Sequence, residues 1–357
     1  MVRRVYLAIL ALAVAGCLAL GAGQASASPV SCGDTLTTDT KLHNNLVNCP
    51  NNGIEIGADN ITLDLNGHLI DGDGTPAVGC DPQTEFCDVG VDNFGHDGVT
   101  VRNGSPRQFA AGVDFGEVRH NRLLGISASR NRFVGIQLFN SSRSLIRNSS
   151  GTGSTDPDEG TGLGLFDSHH VRILNSSFRH NGAFGIILEG ADRNQVRRNR
   201  SVRNGGFGIY VAPGNRNVIA GNRVSHPGAS GIQVDGGDRN VIVRNSVHDT
   251  EGPGINVNFV EEPVVGNVVR RNHVRGAGAD GVHVNHKAKD TLLDGNHALR
   301  SEDDGIDVES PATTLTRNHA VQNGDFGIEA VPDVTDGGGN KASGNGNPAQ
   351  CLNVVCK

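Results

Sequence analysis

The feature that most constrains this chain is a short step of glycine, an aliphatic residue, any residue and usually an apolar residue. The step recurs twelve times along the 357 residues. From Gly162 onward, the intervals between successive glycines are 23, 23, 23, 23, 27, 24 and 22 residues. A period this regular predicts a repeat architecture in which each unit packs on its neighbours. The steps begin at Gly53, Gly90, Gly112, Gly135, Gly162, Gly185, Gly208, Gly231, Gly254, Gly281, Gly305 and Gly327.

A row of asparagines keeps the same period. Asparagine tolerates the left-handed backbone conformation, so the row predicts a tight turn in each repeat. Three short apolar-alternating segments fill each repeat, and none has helical spacing. Three strands in 22–24 residues predict one coil of a single-stranded parallel β-helix, whereas a propeller blade needs about forty residues. The row comprises Asn148, Asn175, Asn199, Asn222, Asn245, Asn272, Asn296 and Asn318.

These steps and asparagines resemble the right-handed parallel β-helix repeats of the pectin-lyase-like superfamily. More narrowly, they resemble the carbohydrate-binding and sugar-hydrolase repeats shared with the periplasmic protein that matures the copper site of nitrous oxide reductase. The segments CPNNGIEIGADNITLDLNGHLIDGDGT (49–75) and GNGNPAQCLNVVC (344–356) are similar to the opening coil and closing cap of secreted bacterial members. The resemblance implies an all-β, right-handed solenoid of about 12 coils. We therefore expect one β-helix over 53–335, between caps at 28–52 and 336–357.

The first 27 residues are predicted to be a secretion signal. Arg3 and Arg4 precede an apolar run over 5–20, and small residues follow at a suitable cleavage position. A lipoprotein anchored at Cys17 is the alternative, because a suitable box precedes that cysteine. A transmembrane anchor is not expected, since the apolar run is short and interrupted by glycine. We therefore expect the protein to be secreted.

Six cysteines remain after the predicted signal, and all of them lie outside residues 88–350. An even number of cysteines in an exported chain predicts disulfides, here near the two ends of the fold. Metal binding is not expected of them, because no two have the CxxC spacing. The near-neighbour pairs are Cys32 with Cys49, Cys80 with Cys87, and Cys351 with Cys356.

Alternation along each step places the two apolar residues inside the solenoid and the residue between them outside. The later coils then stack into an outward column of Tyr210, Gln233, Asn256, His283, Asp307 and Glu329. A second column lies beside it, formed by Ala212, Asp235, Asn258, Asn285, Glu309 and Val331. A solvated surface is the alternative interpretation of this polar face. We expect polysaccharide hydroxyl groups to bind at Tyr210, Gln233, Asp235, Asn256, Asn285, Glu309 and Glu329.

The acids near residue 307 carry the chemical argument. Asp307 and Glu329 fall on neighbouring coils, so their backbones are expected about 5 Å apart, close to the carboxyl separation of retaining glycosidases. Two carboxylates this close repel each other, and one should keep its proton as a general acid. Asp303 and Asp304 are expected at the rim of the same face, and His283 could assist proton transfer. The candidate catalytic residues are Asp304, Asp307 and His283.

The paired aspartates also resemble those of polygalacturonase-type hydrolases, but the accompanying glycine-histidine-glycine and arginine-isoleucine-lysine motifs are absent. No cofactor and no metal ligand are assigned. Calcium is the one ion considered, because Asp303, Asp304 and Asp307 supply hard oxygen ligands. Copper is disfavoured, since the only methionine is Met1. Five histidines are interpreted as separate residues of the coil surface, namely His226, His248, His273, His297 and His319.

Charge is segregated along the chain. Residues 116–250 contain 17 arginines, no lysine and 10 acids, a net charge of +7. Residues 251–336 contain 7 basic and 15 acidic residues, a net charge of −8. A nucleic-acid partner is disfavoured, because export is predicted and aromatic residues are not interleaved with the arginines. The basic middle fits an anionic glycan or cell-wall polymer better. The partner expected is therefore a polysaccharide or a cell-wall polymer, bound by a monomer.

The leading functional hypothesis is recognition of an extracellular polysaccharide along the outward columns. If the protein is an enzyme, hydrolysis fits better than elimination, because no lysine or arginine lies in those columns. The alternatives are a polysaccharide lyase and a non-catalytic surface or wall protein. The scarcity of aromatic residues, with Tyr210 nearly alone on this face, favours the non-catalytic alternative.

Overall fold

The computed structural model describes residues 29–75, 87–259 and 264–357. Over these residues the chain forms a right-handed parallel β-helix of about thirteen turns, which confirms the predicted fold class. The predicted signal at 1–27, with Cys17, lies outside the described residues. Cys80 does too, so its pairing with Cys87 stays a prediction. Within the described ranges, no helix has the length and apolar character that a membrane span requires.

The first sheet holds the steps that define the repeat. Its thirteen described strands are parallel, and each pairs with the strand one turn away. They are Asp34–Leu36, Ile54–Ile56, Val89–Phe94, Ala111–Gly116, Val134–Phe139, Thr161–Phe166, Phe184–Glu189, Ile209–Val211, Ile232–Asp235, Ile255–Asn258, Val282–Val284, Ile306–Val308 and Ile328–Ala330.

Two more parallel sheets complete each turn. Two long strands, Thr100–Arg107 and Arg122–Ser129, belong to both of them. The second sheet also contains Thr40–Lys41, Thr62–Asp64, Leu145–Arg147, Arg172–Leu174, Gln195–Arg197, Val218–Ala220, Val241–Val243, Val268–Arg270, Thr291–Asp294, Thr313–Thr316 and Thr335–Asp336. The third also contains Leu46–Cys49, Leu69–Gly72, Ser150–Thr152, Ser177–Arg179, Arg200–Val202, Arg223–Ser225, Ser246–Thr250, His273–Ala277, His297–Leu299, His319–Val321 and Lys341–Ser343.

The core is a stack of small aliphatic side chains between the three sheets. Ile209 and Val211 are fully buried, whereas Tyr210 between them is only partly buried. The register places Ile209 beside Ile232 and Val211 beside Val234 in the next turn. Like residues therefore pack on like residues, and the core grows by one layer per turn. Phe109, Phe115 and Phe178 are its largest fully buried side chains.

The glycine that begins each step lets neighbouring turns approach closely. A Cβ added at Gly208 would lie 2.5 Å from the carbonyl oxygen of Gly231 and would overlap Cγ1 of Val224. The same limit holds at Gly185, where an added Cβ would lie 2.5 Å from the carbonyl oxygen of Gly208. These glycines do not have positive φ. Close packing between turns, rather than a left-handed turn, is the reason that they recur.

Buried asparagines form a ladder between the second and third sheets. Oδ1 of Asn245 accepts hydrogen bonds from the backbone N–H and the side-chain amide of Asn222, at 2.9 and 3.0 Å. Nδ2 of Asn245 donates to the carbonyl oxygen of Ile219 and to Oδ1 of Asn272, at 2.9 and 3.0 Å. The ladder comprises Asn199, Asn222, Asn245, Asn272, Asn296, Asn318 and Asn340.

The predicted left-handed turn therefore lies one residue earlier than expected in these coils. Arg244 has φ of 55°, whereas Asn245 does not have positive φ. Asn148 and Asn175 do adopt the left-handed conformation, with φ of 53° and 51°. In those coils a serine follows the turn and takes the buried position. The asparagine amide is needed in the ladder, so the preceding residue makes the turn.

Disulfides lie at both ends of the described solenoid. Cys32 bonds to Cys49, and Cys351 bonds to Cys356, which confirms two of the three predicted pairs. Parallel pairing extends into the segments predicted as caps: Asp34–Leu36 pairs with Ile54–Ile56, and Lys341–Ser343 pairs with His319–Val321. The disulfides therefore close coils that are already part of the stack.

Candidate functional site

The register of the first sheet confirms the predicted outward column. Each residue that lies between two buried aliphatic residues pairs with its equivalent in the next turn. The sequence of partners runs from Tyr210 through Gln233, Asn256, His283 and Asp307 to Glu329. These six side chains therefore follow one line along the solenoid axis, about 4.8 Å apart from strand to strand.

Asp304 occupies a different environment from the exposed rim that was expected. Only 4% of its surface is exposed, and the backbone N–H of Phe326 donates to its Oδ1 at 2.7 Å. Burial, together with a side-chain hydrogen bond to Glu329, raises the pKa of Asp304 to about 8. The next turn covers this carboxyl group, which is why it is buried. Asp303, its neighbour in the chain, remains exposed.

Asp307 lies beside this pair on the strand Ile306–Val308. Burial is the main cause that raises its pKa to about 7, and the charges of Asp280, Glu309 and Glu329 add to the shift. Carboxylate oxygens of Asp304, Asp307 and Glu329 lie within 4.8 Å of one another. The arrangement thus combines Asp304, which keeps its proton near neutral pH, with Asp307, which is partly ionised there.

His283 is oriented by an amide on one side and by acids on the other. Its Nδ1 lies 3.0 Å from Oδ1 of Asn256, whose own amide nitrogen donates to Gln233 at 3.2 Å. Because the amide oxygen can only accept, Nδ1 carries the proton. Nε2 then faces Oδ2 of Asp307 at 3.5 Å and Oε2 of Glu309 at 3.8 Å. His283 can therefore accept a proton at Nε2 or stabilise the ionised Asp307.

Three of the predicted binding residues bond mainly to one another. Nε2 of Gln233 donates to both carboxylate oxygens of Asp235 at 2.9 Å. Tyr210 is hydrogen-bonded to Asp235, and burial and that carboxylate raise the pKa of the phenol. Gln233 and Asp235 are only 7% and 6% exposed. Their positions on the outer side of the strand were predicted, but close packing of their neighbours leaves little of them accessible.

The remaining predicted binding residues are more open. Glu309 has 43% of its side chain exposed and lies 3.7 Å from Nδ1 of His286. Asn285 is partly buried in the turn after Val282–Val284, where its Oδ1 accepts from the backbone N–H of Lys287 at 3.4 Å. Glu309 borders the acid cluster, because it also lies 3.8 Å from Nε2 of His283.

An aromatic stack on the same face was missed. The rings of Phe184, Phe207 and Tyr210 are nearly parallel, and the Phe207 and Tyr210 centroids are 4.7 Å apart. Phe184 and Tyr210, together with Phe166 and Pro213, line an open cavity of about 570 Å³. The expectation that Tyr210 stands nearly alone is wrong. The signal was a phenylalanine directly before the step glycine in two successive repeats.

A second run of acids lies at the other end of the same column and was also missed. The register pairs Glu55 with Asp92, Asp92 with Asp114, and Asp114 with Gln137. Burial raises the pKa of Asp92 to about 6 and that of Asp114 to about 7. Applying the outward-position rule to the first coils would have found these residues.

Histidines of the third sheet form a stack of their own. Nδ1 atoms of His273 and His297 lie 3.0 Å apart, and the ring of His319 stacks on His297 with centroids 4.9 Å apart. His248 approaches His273 with centroids 6.1 Å apart. These four lie on the coil surface, as interpreted. They are not separate, however, because the parallel register brings equivalent positions together.

Several groups on the first face could contribute to a metal site. Ligand atoms of His283, Asp307 and Glu309 lie within 4.8 Å of one another, as do those of Asp280, Asp303 and Asp304. Calcium takes six to eight oxygen ligands, so solvent would have to supply half or more. The raised pKa of Asp304 means that a proton would also compete with a cation there. Calcium binding therefore stays a hypothesis.

Comparison with known proteins gives a family and a fold. The right-handed β-helix region family matches residues 44–219, 155–289 and 214–353. No curated protein matches the chain in sequence.

Three solved structures illustrate the fold likeness. The A-module of the Azotobacter vinelandii mannuronan C-5 epimerase AlgE6 is 16% identical, with a TM-score of 0.63 over 84% of this chain and 80% of that one. The periplasmic alginate epimerase AlgG is 16% identical, with a TM-score of 0.50 over 84% and 81%. The catalytic domain of a GH87 α-1,3-glucanase with nigerose is 13% identical, with a TM-score of 0.50 over 91% and 62%. At these identities the likeness shows the fold alone.

Proposed function

We propose, from the premise that this chain belongs to the right-handed β-helix family, that it binds an extracellular polysaccharide along the first sheet and hydrolyses it. The observation that carries the proposal is the cluster of Asp304, Asp307 and Glu329, whose carboxyl oxygens lie within 4.8 Å of one another, with His283 3.5 Å from Asp307. Burial raises the pKa of Asp304 to about 8. A protonated carboxyl group beside a carboxylate is what glycoside hydrolysis requires. The two disulfides support an oxidising location outside the cytoplasm, as expected for a secreted protein.

The carboxyl groups have distinct roles in the proposed reaction. Asp304 gives its proton to the glycosidic oxygen as the bond from that oxygen to the anomeric carbon breaks. Asp307 attacks the anomeric carbon, and His283 stabilises its ionised form. Water, deprotonated by Asp304, then displaces Asp307 from the sugar. The separation of under 5 Å favours this retaining route, because inverting enzymes need about 6.5–9.5 Å between the two groups.

The aromatic stack supports a polymer rather than a single sugar. Tyr210 and Asp307 lie four strands apart on one sheet, a distance of about 19 Å. Aromatic rings pack on the C–H faces of sugars, so Phe207 and Tyr210 are suited to hold a sugar remote from the reacting bond. A chain that contacts both sites would run along the solenoid axis.

The charge of the first sheet favours an uncharged polysaccharide. None of its thirteen described strands contains lysine or arginine, and acids recur at both ends of the outward column. A polyuronate would be repelled by these carboxylates. The compared structures are named as an epimerase of mannuronan, an epimerase of alginate and a glucanase. These names support a polysaccharide ligand without deciding its charge.

The test is a panel of neutral and acidic polysaccharides with three readouts of product. We expect new reducing ends from at least one neutral polymer, no ultraviolet absorbance of unsaturated ends, and a loss of activity of at least about a hundredfold in Asp307→Asn. Glu302→Gln, an exposed acid in the same coil, is the matched control and should retain activity.

Other outcomes discriminate among the alternatives. Detection of unsaturated ends would show that the reaction is elimination rather than hydrolysis. A change of sugar configuration in proton nuclear magnetic resonance spectra, without new ends, would show that the reaction is epimerisation. Binding without product, unchanged in Asp307→Asn, would establish the non-catalytic surface protein instead.

A further inference from the structure

The outer face of the second sheet carries a groove that the proposed function does not use. It has a volume of about 710 Å³ and crosses five successive strands, from Arg172–Leu174 to Val268–Arg270. Four strand spacings give it a length of about 19 Å. Its floor is aliphatic and partly exposed, formed by Leu174, Val218, Ala220, Val241 and Val243.

Five guanidinium groups surround this floor, and no acidic residue lines it. None of the five has an ion pair among the described residues, and Nε of Arg197 is buried without a hydrogen-bond partner. The arginines are Arg172, Arg197, Arg198, Arg244 and Arg270.

Two arginines near the ends of the same sheet have acidic partners. Arg102 pairs with Asp64 at 3.1 Å near one end of the sheet. Arg317 pairs with Asp294 near the other end, so its charge is compensated. The middle of the sheet therefore combines a high density of uncompensated positive charge with an apolar floor, and such a concave surface attracts anions.

We propose that this groove binds a carboxylated polysaccharide, a chain of uronate sugars. Guanidinium groups bind carboxylates through two parallel hydrogen bonds, and a uronate chain offers one carboxylate per sugar. The aliphatic floor can pack against the C–H faces of the rings. No aromatic side chain lines the groove, so it lacks the stacking platforms that single-stranded nucleic acids use.

The proposal is independent of the hydrolysis assigned to the first sheet. The two sheets have opposite charge, and we infer that they bind different polymers. A protein built in this way could remain attached to an acidic matrix through the second sheet while the first sheet acts on a neutral chain.

The experiment measures binding of the full chain to polygalacturonate and to neutral dextran, by isothermal titration at two salt concentrations. Three exposed groove residues are replaced together: Arg172→Gln, Arg244→Gln and Arg270→Gln. The matched control removes the same charge from the third sheet: Arg179→Gln, Arg200→Gln and Arg223→Gln. Circular dichroism verifies that both variants are folded.

We expect the wild type to bind polygalacturonate and not dextran, and the affinity to fall as salt rises. The groove variant should bind at least about tenfold more weakly, whereas the control should change by less than about threefold. Equal weakening in both variants, or no binding by the wild type, would overturn the proposal. Tighter binding of a phosphate polymer or single-stranded DNA than of polygalacturonate would overturn the carboxylate assignment.

Discussion

At the scale of single residues, the most informative group is the carboxyl of Asp304. It is buried, it shares a hydrogen bond with Glu329, and its pKa is raised to about 8. Neighbouring Asp303, with the same chemistry, is exposed. The difference arises from the next turn, whose Phe326 backbone N–H bonds Asp304 and covers it. The same side chain thus becomes a proton donor near neutral pH only through its place in the stack.

The raised pKa predicts how Asp304 affects stability. Between about pH 4 and pH 8 the folded protein binds a proton at Asp304 that the unfolded chain releases, so stability falls as pH rises through this window. In Asp304→Asn the slope should be smaller by the contribution of this one group, while Asp92, Asp114 and Asp307, whose pKa values are also raised, keep the rest of it. Urea unfolding of both proteins at several pH values measures the difference. An equal slope in the two proteins would contradict the raised pKa.

At the scale of elements, single strands contribute to long ladders whose members support one another. The Asn ladder illustrates this, because each amide satisfies backbone groups in two neighbouring turns. The aromatic stack is a second example. It is formed by Phe184 and Phe207, each directly before a step glycine, and by Tyr210, two residues after Gly208. Both features depend on turns of equal length that keep equivalent residues in register.

Asn245→Ala should lower the free energy of unfolding strongly for the replacement of one small side chain. It would leave the buried backbone N–H of Asn222 and the carbonyl of Ile219 without their partners, and each such group costs about 1–3 kcal/mol. We expect a loss of at least about 2 kcal/mol in the free energy of unfolding. Asn44→Ala, at an exposed position, is the control and should change stability by less than about 0.5 kcal/mol. Similar losses in the two variants would show that the ladder is not a special stabilising element.

The aromatic stack leads to a prediction about binding. Replacing Tyr210 by Phe should preserve most of the ring stacking, whereas replacing Phe207 by Ala should weaken binding of a neutral polysaccharide about five- to tenfold by removing a stacking face. Affinity electrophoresis on the neutral polymer identified by activity measures both. An unchanged affinity in Phe207→Ala would exclude the stack from the binding path.

At the scale of the whole molecule, the faces of the solenoid differ in charge, and disulfides close its described ends. The first sheet is acidic and aromatic, whereas the middle of the second is cationic. The stack ends at turns that have a neighbour on one side only, and a disulfide lies at each end. In a linear array, loosening starts at such terminal repeats.

Removal of the first disulfide should therefore act locally. The double variant Cys32→Ala and Cys49→Ala opens a loop of 17 residues, for which a loss of about 3 kcal/mol is expected. Hydrogen exchange should rise in the first turns and remain unchanged in the turn that contains Asp307. Uniform acceleration over all turns would show that the solenoid unfolds as one cooperative unit.

Much of the fold could be predicted from the sequence, because a β-helix repeats a short local pattern. The spacing of step glycines indicated the length of the turn, and alternation around Ile306 and Val308 indicated that Asp307 points outward. The cysteine positions indicated the two described disulfides. Each of these features depends on residues close together in sequence or separated by one period.

The rest required the tertiary structure, because burial and contact depend on which residues the next turn brings nearby. The period could not show that Phe326 covers Asp304, or that Phe184 and Phe207 stack with Tyr210. The period also predicted the left-handed turn at the asparagine. The turn lies at the preceding residue instead, because the buried ladder needs the asparagine amide. The sequence by itself determined the solenoid and the outward column. Only the packing of successive turns decided which acids keep a proton, which rings stack and which arginines remain unpaired.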